Sequence, residues 1–231
     1  MFRQILFVNW KAARFGLLPL IMAAFALPLL SVRFVRIMGT ISESSTVRGA
    51  ELMGVVSSFA PAYPALAFVL GTVLALMVWN WDHRGDHVYP LSLPMQRWKY
   101  VLFKLGAGGV ILLIPVAVLW FGSLLAVSTL DIPDGLRAFP TAITFRFLLA
   151  SLISFAVFFA LAAGTMRTAV FLLIALVLLV FLGETAPPFV GRLFEMPALA
   201  NFHFLDWTLN ALVTWPGPFE VFVGNWMLID V

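Results

Sequence analysis

The chain has 231 residues, 62% of them hydrophobic and only 11% charged, and its mean hydropathy is +1.03. A soluble domain of this length needs far more polar surface to cover its core, so the composition points to a membrane protein. The absence of cysteine excludes disulfide and thiolate chemistry. The net charge of +3 reads as loop asymmetry across a membrane, with no nucleic-acid partner implied.

Residues 1–14 are predicted to form an amphipathic interfacial helix. At about 100° per residue, Arg3, Gln4, Lys11 and Arg14 project within one quadrant, while Phe2, Ile5, Leu6, Trp10 and Ala13 project on the other side. The long basic lead and the lack of a clean A-x-A site argue against a cleaved signal peptide. Uncharged windows at 15–32, 52–81, 105–130, 147–166 and 168–183 mark five spans, since ~20 apolar residues cross ~30 Å of hydrocarbon. Within the second window, Pro61 and Pro64 suit the first turn of a helix, so MGVVSSFAPAYP is expected as a loop or helix start. No ionisable residue falls in the middle of any window, which argues against a proton-coupled transporter or a redox pump.

Beyond residue 183 the pattern is broken by Pro187, Pro188, Pro197, Pro216 and Pro218. Segment 184–231 is expected as extracytoplasmic re-entrant or interfacial helices leading into the start of a sixth span. Its Phe, Met and Trp residues over 194–227 suggest a lipid-facing or substrate-facing vestibule. The end of the chain, without a polar tail, reads as unusual or incomplete. The expected fold class is therefore all-α: a polytopic membrane protein of five to six transmembrane helices. It has an interfacial helix at 1–14, a transmembrane domain at 15–183 with a cytoplasmic loop at 82–99, and broken helices near the C-terminus.

Charge sets the expected orientation. One side carries Arg3, Lys11, Arg14, Arg84, Arg97, Lys99, Lys104 and Arg167 against the acids Asp82 and Asp86. The other carries Arg33, Arg36, Arg48, Arg137, Arg146 and Arg192 together with the remaining nine acids. The basic bias places the N-terminus in the cytoplasm and the chain in the plasma (inner) membrane. Trp79, Trp81, Trp98 and Tyr100 then read as interfacial anchors flanking the 82–99 loop.

No G-x-x-x-x-G-K-[ST], G-x-S-x-G or H-E-x-x-H motif occurs, so no ATP site of the P-loop kind and no catalytic residue is expected on this chain. Gly106, Gly108 and Gly109 read as sites of close helix approach. In the loop, Asp82, His83, Asp86 and His87 have a spacing that places two histidines on one helical face, as zinc ligands require. Gly85 inside the run, the charge of Arg84 and the lack of a further ligand cluster favour a solvated loop, so neither a metal nor another cofactor is expected.

The run D-H-R-G-D-H-V-Y-P-L-S-L-P-M-Q-R-W-K-Y-V-L-F-K resembles the loop between the second and third spans of ABC-2 type transporter permeases. Asp82 and Gly85 match the acid and glycine of that pattern, Leu91, Leu93 and Pro94 its apolar Leu-Pro stretch, and Arg97 and Lys104 its closing bases. The chain departs from the pattern in its short length, its weak final span and the spreading of the acid–base pair over Asp82-His83-Arg84. The resemblance implies a coupling helix at about Val88 to Arg97 that docks into a separate cytoplasmic nucleotide-binding (ATPase) subunit. The implied interface comprises Asp82, Arg84, Gly85, Val88, Tyr89, Leu91, Leu93, Pro94 and Arg97, with Arg3, Lys11 and Arg14 as a second contact. It also implies a second permease subunit, identical or not, and contact with membrane lipid. Two other readings stand beside it: a non-transporting membrane anchor for a larger complex, and a metal-dependent membrane enzyme built on Asp82, His83, Asp86 and His87.

Overall fold

The computed structural model describes residues 1–38, 45–84, 96–129, 136–164, 166–193, 207, 210–211, 217–223 and 226–230. In chain order they form α1 (Phe2–Met38), α2 (Ser45–Phe59), α3 (Ala62–Arg84), α4 (Arg97–Ser128), β1 (Arg137–Ala138), α5 (Pro140–Gly164), α6 (Met166–Leu193), a short 3-10 helix (Pro218–Phe222) and β2 (Ile229–Asp230). Five segments are long and apolar enough to cross a membrane: Phe2–Phe34, Leu52–Asn80, Arg97–Ser128, Pro140–Gly164 and Val170–Pro187. That is the layout of a multi-pass membrane protein.

Several boundaries differ from those the sequence suggests. α1 runs from Phe2 to Met38 without a break, so the expected division between an interfacial helix and a first span at 14/15 is not a break in the chain's path. Its 33-residue apolar portion is about 50 Å long, some 20 Å more than the hydrocarbon core, which tilt or protrusion accommodates. Pro19 and Pro28 lie inside it; a membrane helix tolerates such breaks in its ladder when neighbouring groups engage the freed backbone. The Ser31 hydroxyl, for instance, donates to the Pro28 carbonyl at 2.8 Å.

The second window splits as its prolines suggest. α2 ends at Phe59, and α3 starts at Ala62 with Pro64 in its first turn. α6 continues to Leu193, through Pro187 and Pro188, about three turns past the end of the fifth window. Uncharged windows measure apolar length, and Glu184 ends a window without ending a helix. The described residues near the C-terminus are extended: Ile229 and Asp230 pair antiparallel with Ala138 and Arg137, where the start of a sixth span is expected. The vestibule proposed over 194–227 lies almost wholly outside the described residues.

The chain divides into two compact units, residues 1–160 with 225–231, and residues 161–224. The second contains the last turn of α5, all of α6 and the short 3-10 helix. In the first, α1 lies along α4 and also packs on α3 and α2. The buried face of α1 is the four-residue stripe Ile5, Asn9, Ala13 and Leu17, continued by Ala24. Lipid tails are as apolar as leucine, so helices associate in a membrane through close packing rather than through escape from water. α3 meets that requirement with Ala67, Gly71 and Ala75, three small residues four apart; both alanines are fully buried. A Cβ at Gly71 would lie 2.5 Å from the Ser151 carbonyl oxygen and 2.7 Å from the Phe155 nitrogen, so only glycine lets α3 and α5 approach this closely. Of the three glycines that open α4, Gly108 has such a role, against the Phe155 ring, whereas nothing lies within 4 Å of a Cβ at Gly109.

Candidate functional site

The polar centre of the first unit joins α3 and α4, the helices that precede and follow residues 85–95. α3 supplies Asp82 in its last described turn, and α4 supplies Tyr100 and Lys104, four residues apart on one helix face. The Lys104 ammonium sits 2.5 Å from Asp82 Oδ2. The Tyr100 hydroxyl donates to the same carboxylate, 2.9 Å from Oδ2 and 3.1 Å from Oδ1, and accepts a longer contact from Lys104 Nζ at 3.4 Å. All three are withdrawn from the surface, with 5%, 6% and 2% of Asp82, Tyr100 and Lys104 exposed. The ammonium also lies over the Trp79 ring, 4.4 Å from its centroid, and Trp79 in turn packs on Phe159 of α5.

α1 closes this cluster from the N-terminal side. Ile5 forms an apolar cluster with Tyr100 and Ala107, and Phe2 meets Phe103 edge-on with ring centroids 6.1 Å apart. Beside the ion pair lies a void of about 10 Å³, bordered by Asn9, Val78, Asp82, Tyr100 and Lys104 among others. It has room for about one water molecule. Asn9 is buried there, and its Nδ2 has no hydrogen-bond partner among the described residues.

Taking ions out of water costs several kcal/mol each, and their attraction repays this only when the geometry is good and the remaining hydrogen-bonding positions are filled. Here Tyr100 fills the second carboxylate oxygen and Trp79 covers the ammonium. The consequence is positional: Asp82 and Lys104 satisfy each other in one register of α3 against α4 only, and the two ends of the intervening loop are held together.

The expected interface residues separate in the structure. Arg3, Lys11, Arg14 and Arg97 are exposed. The Asp82 carboxylate faces the bundle and is engaged by Lys104 and Tyr100. Gly85, Val88, Tyr89, Leu91, Leu93 and Pro94 lie outside the described residues, and of Arg84 only the helical backbone is described. The expected loop 82–99 is helical at both ends, where 82–84 belong to α3 and 97–99 to α4, and residues 85–95 lie outside the described residues. Trp79 and Tyr100 are buried, not interfacial anchors, whereas Trp98 is 58% exposed as an anchor would be. Among the described residues no group of three or more His, Asp or Glu could hold a metal, and Asp86 and His87 lie outside them.

Sequence reading missed the cluster because it counted Asp82 and Lys104 as solvated loop charges. The available signal was local: an acid just after one apolar window and a base just before the next, with a tyrosine one turn before the base. No family model, curated protein or solved structure matches the chain.

Proposed function

We propose that the chain is the membrane-spanning permease subunit of an ABC-2 type, ATP-driven transporter, and that the ion pair joining the helices on either side of residues 85–95 lets that segment act as a handle on both helices. The observation that carries this reading is the Asp82–Lys104 pair with its Tyr100 bond, which ties α3 to α4 on both sides of the loop. A partner pressing on the loop then moves two spans as one body, where a loosely held loop would absorb the displacement. The chain has no P-loop of its own, so ATP would be hydrolysed on a cytoplasmic partner seated against Val88 to Arg97, with the exposed Arg3, Lys11 and Arg14 as the second contact. A second permease subunit completes the transporter. The basic bias of the ends that carry the N-terminus and this loop puts both in the cytoplasm.

The test is affinity purification of the tagged chain from its native membrane, with Leu93→Asp and Pro94→Asp beside the parent. The parent is expected to bring down a P-loop ATPase, and either substitution to release it while the chain stays in the membrane. Undiminished recovery of the ATPase with both variants, or no ATPase with the parent, overturns the reading.

A further inference from the structure

A second feature of the first unit stands apart from the loop and does not depend on which partner the loop holds. Between the C-terminal half of α1 and the end of α4 runs an open groove of about 590 Å³, lined by Phe25, Leu29, Leu30, Leu125, Thr129 and, at one end, Arg33. It begins where the two helices touch, since a Cβ at Gly122 would come within 2.9 Å of the Phe25 carbonyl oxygen. Its walls are apolar apart from Arg33 and Thr129, and the Thr129 hydroxyl is turned back to the Ala126 carbonyl at 2.8 Å. Among the described residues Arg33 is thus the one charge facing the groove; it is exposed, and no carboxylate among them pairs with it.

Depth identifies the occupant. Arg33 is the first charge after the uncharged run 15–32, which places it at headgroup level, and the groove runs from it toward the membrane interior. From Arg33 to Phe25 is about 12 Å along the helix, close to the ~15 Å of one hydrocarbon leaflet. A cation at phosphate depth above an apolar channel of acyl-chain length is complementary to an amphiphile with an anionic head.

We propose that this groove binds one anionic phospholipid, its acyl chain along Leu29, Leu30 and Leu125 and its phosphate on the Arg33 guanidinium. Native mass spectrometry of the purified protein, after exchange into mixed micelles of phosphatidylglycerol and phosphatidylcholine, counts the retained lipid. The parent is expected to keep phosphatidylglycerol in preference. Arg33→Gln should lower that preference about fivefold, and Leu29→Trp, which fills the groove, should lower retention of both lipids. Equal retention of the two lipids by the parent, or unchanged preference in the Arg33→Gln variant, overturns the proposal. Unchanged retention in a folded Leu29→Trp variant also overturns it, because the head alone would then be held. The chain has no cysteine, so Leu30→Cys reports on the rival occupant. A disulfide-linked dimer forming efficiently in membranes would show that a second copy covers the groove.

Discussion

The first unit holds a cation over a tryptophan near each of its ends, and the two pairs are built differently. Near the start of α4, Lys104 lies over Trp79, is 2% exposed and is engaged by Asp82 and Tyr100. Near the start of α5, Arg146 lies 5.0 Å from the centroid of Trp226, whose ring is equally buried, but the arginine itself is only half-buried. A lysine withdrawn completely from water needs a counter-ion, because the ring offers only a weak quadrupole in exchange for lost hydration. An arginine that keeps part of its guanidinium outside needs less, since its delocalised charge is weakly hydrated and stacks on the ring. The same difference predicts that the first pair sets helix register and that the second makes only a small contribution to stability.

Removing one partner of the buried pair should have the largest effect. Asp82→Ala leaves a charged Lys104 inside the bundle and should cost about 3–5 kcal/mol, read as a lowered thermal midpoint in detergent. The double variant Asp82→Leu with Lys104→Met should recover most of that loss, because an apolar pair of similar volume carries no desolvation penalty. A double variant as unstable as Asp82→Ala would mean that the site depends on packing and not on charge.

Tyr100→Phe keeps the ring against Ile5 and removes only the hydroxyl that donates to Asp82. The loss of a hydrogen bond to a charged group should cost about 1.5–3 kcal/mol, and in the Asp82→Leu, Lys104→Met background the same substitution should cost much less. An equal cost in both backgrounds would show that the hydroxyl acts independently of the pair. The smallest effect belongs to the other end of the unit. Arg146→Gln changes a half-buried, partly solvated cation and should cost less than Asp82→Ala, the cation–π contact itself being worth about 0.5–1 kcal/mol; a loss comparable to that of Asp82→Ala would erase the contrast between the two ends.

The buried pair also shows how far charge counting carries. Basic and acidic residues summed by loop treat Asp82 and Lys104 as members of one solvated segment. In the structure they are an inward charge near the end of one helix and an inward charge in the first two turns of the next, and they cancel each other. The aromatic residues divide in the same way: Trp79, Tyr100 and Trp98 have alike chemistry and neighbouring positions, yet only Trp98 faces outward. Which face of α4 meets α1 and α3 depends on contacts between residues 18 to 22 apart in the chain and more, and no local periodicity records them.

Composition alone pointed to the class of this protein, because a chain with 11% charged residues has little polar surface with which to clothe a soluble core. The positions of the apolar windows determined the number of candidate spans, since crossing hydrocarbon is a demand on length and polarity that neighbouring residues meet by themselves. Pro61 and Pro64 marked the break before α3 for an equally local reason, the missing amide hydrogen. The tertiary structure decided the rest. It joined α1 into a single helix along α4, carried α6 past its prolines, and paired the residues near the C-terminus with β1. It also turned Asp82 inward to meet Lys104. Each of these depends on which side chains fill the space beside a segment, and a buried charge reveals its role only once its counter-ion is in place.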